Sequence, residues 1–96
     1  MFVLNVSYTQ APAAVEPHLA SHGAWVKKHL EAGNIVAAGP KKSGLGGVLL
    51  VQTMGREALR QMLAEDSYVI ADVAEYQVIE LDFKAAADTL QALKGF

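Results

Sequence analysis

Along this chain the hydrophobic repeat switches between the period of a strand and that of a helix, in the order strand, helix, strand, strand, helix, strand, and few folds accept that order. Phe2, Leu4, Val6 and Tyr8 alternate with Val3, Asn5 and Ser7, which predicts a first strand with one strongly apolar face. Pro12 and Pro17 bracket the entry to a helix that starts between Ala13 and Pro17 and runs to Ala32, where Gly33-Asn34 tolerates the positive φ of a helix C-terminus. Ile35 to Ala38 predict a short strand ended by Gly39-Pro40, and Lys41 to Gly47 a flexible glycine-containing loop. Val48 to Thr53 read as a strand and Gly55 to Ala64 as an amphipathic helix with Leu59, Met62 and Leu63 inward. A last strand is expected over Tyr76 to Phe83, and residues 84 to 94 predict a short C-terminal helix.

The order β-α-β-β-α-β is that of a ferredoxin-like α+β domain: an antiparallel four-stranded sheet with both main helices on one face. A single domain over residues 1–96 is expected, since the chain has material for one core only. Val48, Leu49, Leu50 and Val51 are apolar on both alternating sets, the pattern of a strand covered on both sides. The second sheet face is therefore expected to pack against a second copy in a homodimer, the alternative being a cap formed by the C-terminal segment.

At 52% hydrophobic and 19% charged residues the sequence is that of a globular protein. The net charge of −2, with no basic cluster and with Lys41-Lys42 too short to make one, argues against a nucleic-acid partner. Without cysteine there is neither disulfide nor thiolate chemistry. No stretch approaches the roughly 20 apolar residues of a membrane span, and the chain opens on strand pattern, not on a signal sequence. A cytoplasmic protein with no membrane partner is expected.

His18, His22, Trp25 and His29 fall within an arc of roughly 60° on a helical wheel. The same wheel puts Val15, Leu19, Val26 and Leu30 towards the core, leaving the histidines at its border, where an imidazole is partly desolvated yet able to reach a cleft. Each imidazole alone also fits a structural role, bonded to backbone at the core edge, and Trp25 alone fits core packing. His18 and His22 have the i, i+4 spacing of a helical metal site, but Leu19 stands where the zinc motif has glutamate and His29 lies two turns from His22. No metal and no cofactor are expected. Asp66 ends the second helix, where its carboxylate serves either a turn or an imidazole.

Taken in order, His22, Gly33, Ala38-Gly39-Pro40-Lys41, Gly46-Gly47, Asp66-Ser67-Tyr68 and Tyr76-Gln77-Val78-Ile79-Glu80-Leu81 resemble the motifs of the YciI-like (YCII-related) family along nearly the whole chain. The resemblance implies a ferredoxin-like fold, a dimer of the α+β barrel type, and an active site centred on a histidine and an aspartate, roles that fall here on His22 and Asp66. Ser67 replaces the family's proline, which loosens the turn that orients Asp66. The family is mostly of unknown function and includes a dehydrochlorinase of chlorinated hydroquinones.

On this reading His22 and Asp66 form the acid-base pair of a lyase, isomerase or hydrolase acting on a small cyclic or aromatic molecule. His18, Trp25 and Tyr68 line its ligand site, and the backbone N–H groups of Gly46 and Gly47 contribute to it. No serine carries a nucleophile-elbow motif. The alternative function is a non-catalytic small-molecule binding or assembly module.

Overall fold

The structure is a computed structural model describing residues 1–96. Strands β1 (Phe2–Tyr8), β2 (Ile35–Pro40), β3 (Gly46–Val51) and β4 (Ala74–Glu80) form one sheet in the order β2-β3-β1-β4. All three neighbouring pairs are antiparallel. With helices α1 (Pro12–Val15), α2 (Leu19–Glu31), α3 (Arg56–Ala64) and α4 (Ser67–Ile70), this is the ferredoxin-like α+β arrangement. No helix is long and apolar enough to cross a membrane.

Register decides what each face carries. Leu4 lies opposite Leu49 and Val78, and Phe2 opposite Val51. These residues face the helices and share a core with Val15, Trp25, Leu59, Met62 and Tyr68. On the other face Ile79, Val3, Leu50 and Ala37 line up across all four strands as consecutive partners. Ile79 is 56% exposed there and Val48 38%.

Helix α2 ends where the sequence places its stop. Gly33 takes φ 80°, the Gly33 N–H donates to Leu30 and the Asn34 N–H to His29, the paired bonds of a Schellman cap. Its start is less regular. Glu16–His18 form a 3₁₀ turn around Pro17, whose ring removes a helical donor. That turn advances the chain by about 120° per residue instead of 100°, so a wheel carried through from Val15 loses phase. Leu19 and Leu30 are consequently exposed, at 48% and 42%, while Trp25 and His29 are buried, at 6% each. The supposed border stripe is in large part the core face.

Two further expectations are corrected. Residues 84 to 94 do not form a regular helix: Asp88–Gly95 is a 3₁₀ segment kinked at Leu90 with no buried residue, and a short helix without a buried apolar face has little to sustain it. Its end is tied down instead, the Phe96 carbonyl accepting the Thr53 hydroxyl at 2.7 Å. Between α3 and β4, a stretch for which the sequence predicts no element, the chain makes one extra helical turn, α4. The last strand starts two residues before Tyr76 and stops at Glu80.

Candidate functional site

Asp66 links α3 to α4 in an extended conformation and caps α4, its Oδ1 accepting the Tyr68 N–H at 3.2 Å. The same oxygen is 2.7 Å from His22 Nδ1, and Oδ2 accepts the Tyr76 hydroxyl. The residue is 0% exposed. A buried carboxylate is costly unless its lone pairs are filled, and here three donors from α2, α4 and β4 fill them. Burial, then the hydrogen bond to Asp66, pushes the Tyr76 phenol far above its ordinary range and keeps this donor protonated. The Tyr68 phenol, which faces Tyr8 while its backbone N–H serves Asp66, is raised by burial and then by the Tyr8 hydroxyl.

The carboxylate has only lone pairs to offer, so the shared hydrogen lies on His22 Nδ1 and the neutral imidazole carries its free lone pair on Nε2. The ring is fixed by stacking as well. It lies 3.8 Å from the Tyr68 ring, centroid to centroid, with 5° between the planes, and Trp25 flanks it at 5.7 Å. An imidazole held by a carboxylate through Nδ1, stacked and 18% exposed, is equipped to accept or return a proton at Nε2.

His22 borders a cavity of about 340 Å³ between α2 and the β2–β3 end of the sheet. Leu19, His22, Gly23 and Val26 present one face of α2 to it. Opposite stand Gly39 and Pro40 of β2 with Gly46 and Gly47 of β3, and Tyr8 and Tyr68 close one side with their hydroxyls 3.5 Å apart. No Lys, Arg, Asp or Glu lines it; its polar side chains are one imidazole and two phenols.

Of the residues singled out in the sequence, the fold brings His22, Gly46, Gly47 and Tyr68 to this cavity and puts Asp66 directly behind His22. Two others belong elsewhere. Trp25 is a core residue whose indole N–H donates to the Met62 carbonyl at 3.0 Å, because the shifted phase of α2 turns it to the core and not to the cavity. His18 falls at the distorted start of α2 and does not border the cavity; its backbone carbonyl accepts the Ser67 hydroxyl at 3.2 Å. That bond ties the turn for which a proline ring is missing, so the expected looseness at Ser67 is countered by a hydrogen bond.

His29 lies in a separate network. Its Nε2 is 2.9 Å from Glu65 Oε1 and its Nδ1 3.0 Å from the Asn34 amide nitrogen, so both ring nitrogens are engaged in joining α2 to α3 and β2. Hydrogen bonding to His29, the leading cause, together with Lys28 pulls the Glu65 carboxyl below its ordinary range. No three His, Cys, Asp or Glu side chains converge as a metal site. Sequence reasoning missed Tyr8, Gly23 and Tyr76 as site residues. For Tyr76 strand alternation offered part of the signal, since it shares a face with Val78; the register that sets it opposite Val6, on the side of the helices, comes from the fold.

Residues 1–82 match the YCII-related domain. The chain belongs to the YCII-related family. No curated protein matches it. Among solved structures, the family chain is similar to 5-chloro-2-hydroxyhydroquinone dehydrochlorinase from Burkholderia phenoliruptrix in complex with 2,5-dihydroxybenzoquinone, with a TM-score of 0.68 and 17% identity over 85% of this chain and 94% of that one. At that identity the likeness is one of fold.

Proposed function

We propose that this YCII-related protein is an acid-base enzyme for a small hydroxylated ring compound, with His22 as the proton-transferring group and Asp66 as its fixed partner. The observation that carries the reading is the 2.7 Å contact between the Nδ1 of His22, which lines the cavity, and a fully buried carboxylate behind it, in a cavity that no other charged group borders. His22 Nε2 takes a proton from an acidic O–H or C–H of the ligand, and the resulting imidazolium is compensated by Asp66. In an isomerisation the same nitrogen returns the proton at another atom. In an elimination the electron pair of the broken bond to hydrogen becomes a π bond, and the leaving group departs with its own bonding pair. Tyr68 and the backbone of Gly46 and Gly47 serve as ligand contacts. The dehydrochlorinase of similar fold, with its bound dihydroxybenzoquinone, supports a flat hydroxylated ring as the ligand class.

A homodimer through the open sheet face belongs to the same reading, giving the barrel-type assembly. The row Ile79, Val3, Leu50, Ala37 supplies a continuous apolar band that a second copy would cover. We place the protein in the cytoplasm, a setting with which a cysteine-free chain is compatible.

Phloroglucinol, an uncharged trihydroxybenzene near neutral pH, tests the chemistry. In D₂O, proton NMR should show the wild type accelerating exchange of its ring hydrogens, with His22→Gln abolishing the acceleration while calorimetric affinity stays within roughly tenfold. Binding without accelerated exchange would instead mark a binding module, and absence of binding would remove the ligand class.

A further inference from the structure

We infer that Gly23 is the specificity-determining residue of this cavity: its missing side chain is the space that the ligand occupies beside His22. The inference rests on the proposed ligand site and adds a residue whose only part in it is to be small.

Gly23 is an interior residue of α2, where glycine costs about 1 kcal/mol of helix stability relative to alanine. Glycine is ordinarily retained at such a price for one of two reasons: a backbone conformation that a Cβ would strain, or a neighbour that a Cβ would strike. Neither applies. Gly23 is absent from the glycines of positive φ, which are Gly33, Gly44 and Gly46, and a Cβ built on it meets nothing within 4 Å. The contrast with Gly47 across the cavity is direct, since a Cβ there would approach the Gly39 carbonyl oxygen at 2.9 Å. Gly47 is needed by the fold, whereas Gly23 is not.

What a side chain at position 23 would meet is the cavity. Leu19, His22, Gly23 and Val26 follow the i, i+3, i+4, i+7 spacing of one helix face, and all four line it. Gly23 is the gap in an otherwise filled stripe, adjacent to the imidazole. A flat ring entering there lies against helix backbone on one side and the glycine-rich end of β2 and β3 on the other. In roughly 340 Å³ one methyl is a small intrusion and an isobutyl group a large one.

Gly23→Ala and Gly23→Leu therefore separate fold from fit. Gly23→Ala should melt at or above the wild-type temperature, because helix propensity improves and its Cβ meets no protein atom, and Gly23→Leu should remain folded with its added branch in the cavity. Both should keep the ¹⁵N signature of a protonated His22 Nδ1. By calorimetry, phloroglucinol affinity should fall about three- to tenfold in Gly23→Ala, and binding should be lost in Gly23→Leu. If both variants fold and bind phloroglucinol as the wild type does, the assignment of Gly23 is overturned while the acid-base reading stands. If the wild type itself fails to bind, the ligand reading falls and this inference with it. A lowered melting temperature in Gly23→Ala would show that the fold requires this glycine, and would equally overturn the inference.

Discussion

The His22 imidazole and the Tyr68 ring are stacked, their planes parallel within 5° at a centroid separation of 3.8 Å, so the residue two places after Asp66 clamps the imidazole that Asp66 binds. One short segment thus fixes His22 twice, by a hydrogen bond that sets its tautomer and by a face that sets its plane. Tyr68→Phe keeps the face and loses only a hydroxyl whose partner, Tyr8, is 3.5 Å away, and should cost less than about 1.5 kcal/mol. Tyr68→Ala removes a buried aromatic group and should cost roughly 3–5 kcal/mol. Urea denaturation followed by circular dichroism measures both.

Asp66→Asn cannot accept from all three donors at once: with its oxygen in the Oδ1 position it keeps the cap and the His22 bond and turns its amide nitrogen to the Tyr76 hydroxyl, and in the flipped orientation it loses both of the former. A loss of about 2 kcal/mol or more is expected in denaturant titration, the scale of a buried charged hydrogen bond left unmade. Asp66→Ala should lose about 1 kcal/mol beyond that through the missing cap.

Alkali should unfold this protein through its phenols. The folded state keeps the proton on Tyr76 far above the pH at which an unfolded tyrosine releases it, because the phenol is buried and donates to Asp66. A group whose folded value is raised contributes fully below its unfolded value, about pH 10, and its contribution is lost as pH rises beyond that. Stability should therefore decline above about pH 10, by up to about 1.4 kcal/mol per pH unit from Tyr76. Melting temperatures across an alkaline pH series should show a shallower decline in Tyr76→Phe.

The Glu65–His29 link gives the opposite limb. The Glu65 carboxyl is depressed by its hydrogen bond to His29, with Lys28 contributing, so its stabilising effect is present above the ordinary glutamate value of about 4.3 and is lost as pH falls through the lower folded value. Glu65→Gln should flatten the acid limb of the melting-temperature profile and leave the alkaline limb unchanged.

Two glycines of the sheet should respond differently to the same change. Gly46 holds φ 141°, and a Cβ there would overlap the Val6 carbonyl; Gly46→Ala should cost about 3 kcal/mol or more. A Cβ at Gly39 meets nothing within 4 Å, and Gly39→Ala should be tolerated within about 0.5 kcal/mol in denaturant titration.

Those glycines also illustrate what was legible in the sequence. The order of elements and the α2 stop at Gly33-Asn34 were readable because period and cap chemistry are local. The helix phase was not, because one 3₁₀ turn at Pro17 rotates everything after it, exchanging Leu19 and Leu30 for Trp25 and His29 as the buried residues. The pairing of position 22 with position 66 came from family resemblance; spacing alone left Asp66 between a turn and an imidazole. The Tyr76 bond to Asp66 needed the sheet register, and the vacant side of Gly23 needed the cavity itself.

¹⁵N-resolved NMR of the imidazoles reads directly which nitrogen of neutral His22 bears hydrogen, in the wild type and in Asp66→Ala, which leaves no acceptor at the Oδ1 position. A protonated Nδ1 with a bare Nε2 in the wild type, and loss of that preference in Asp66→Ala, is the predicted result. A neutral His22 with hydrogen on Nε2, unchanged when the carboxylate is removed, would contradict it.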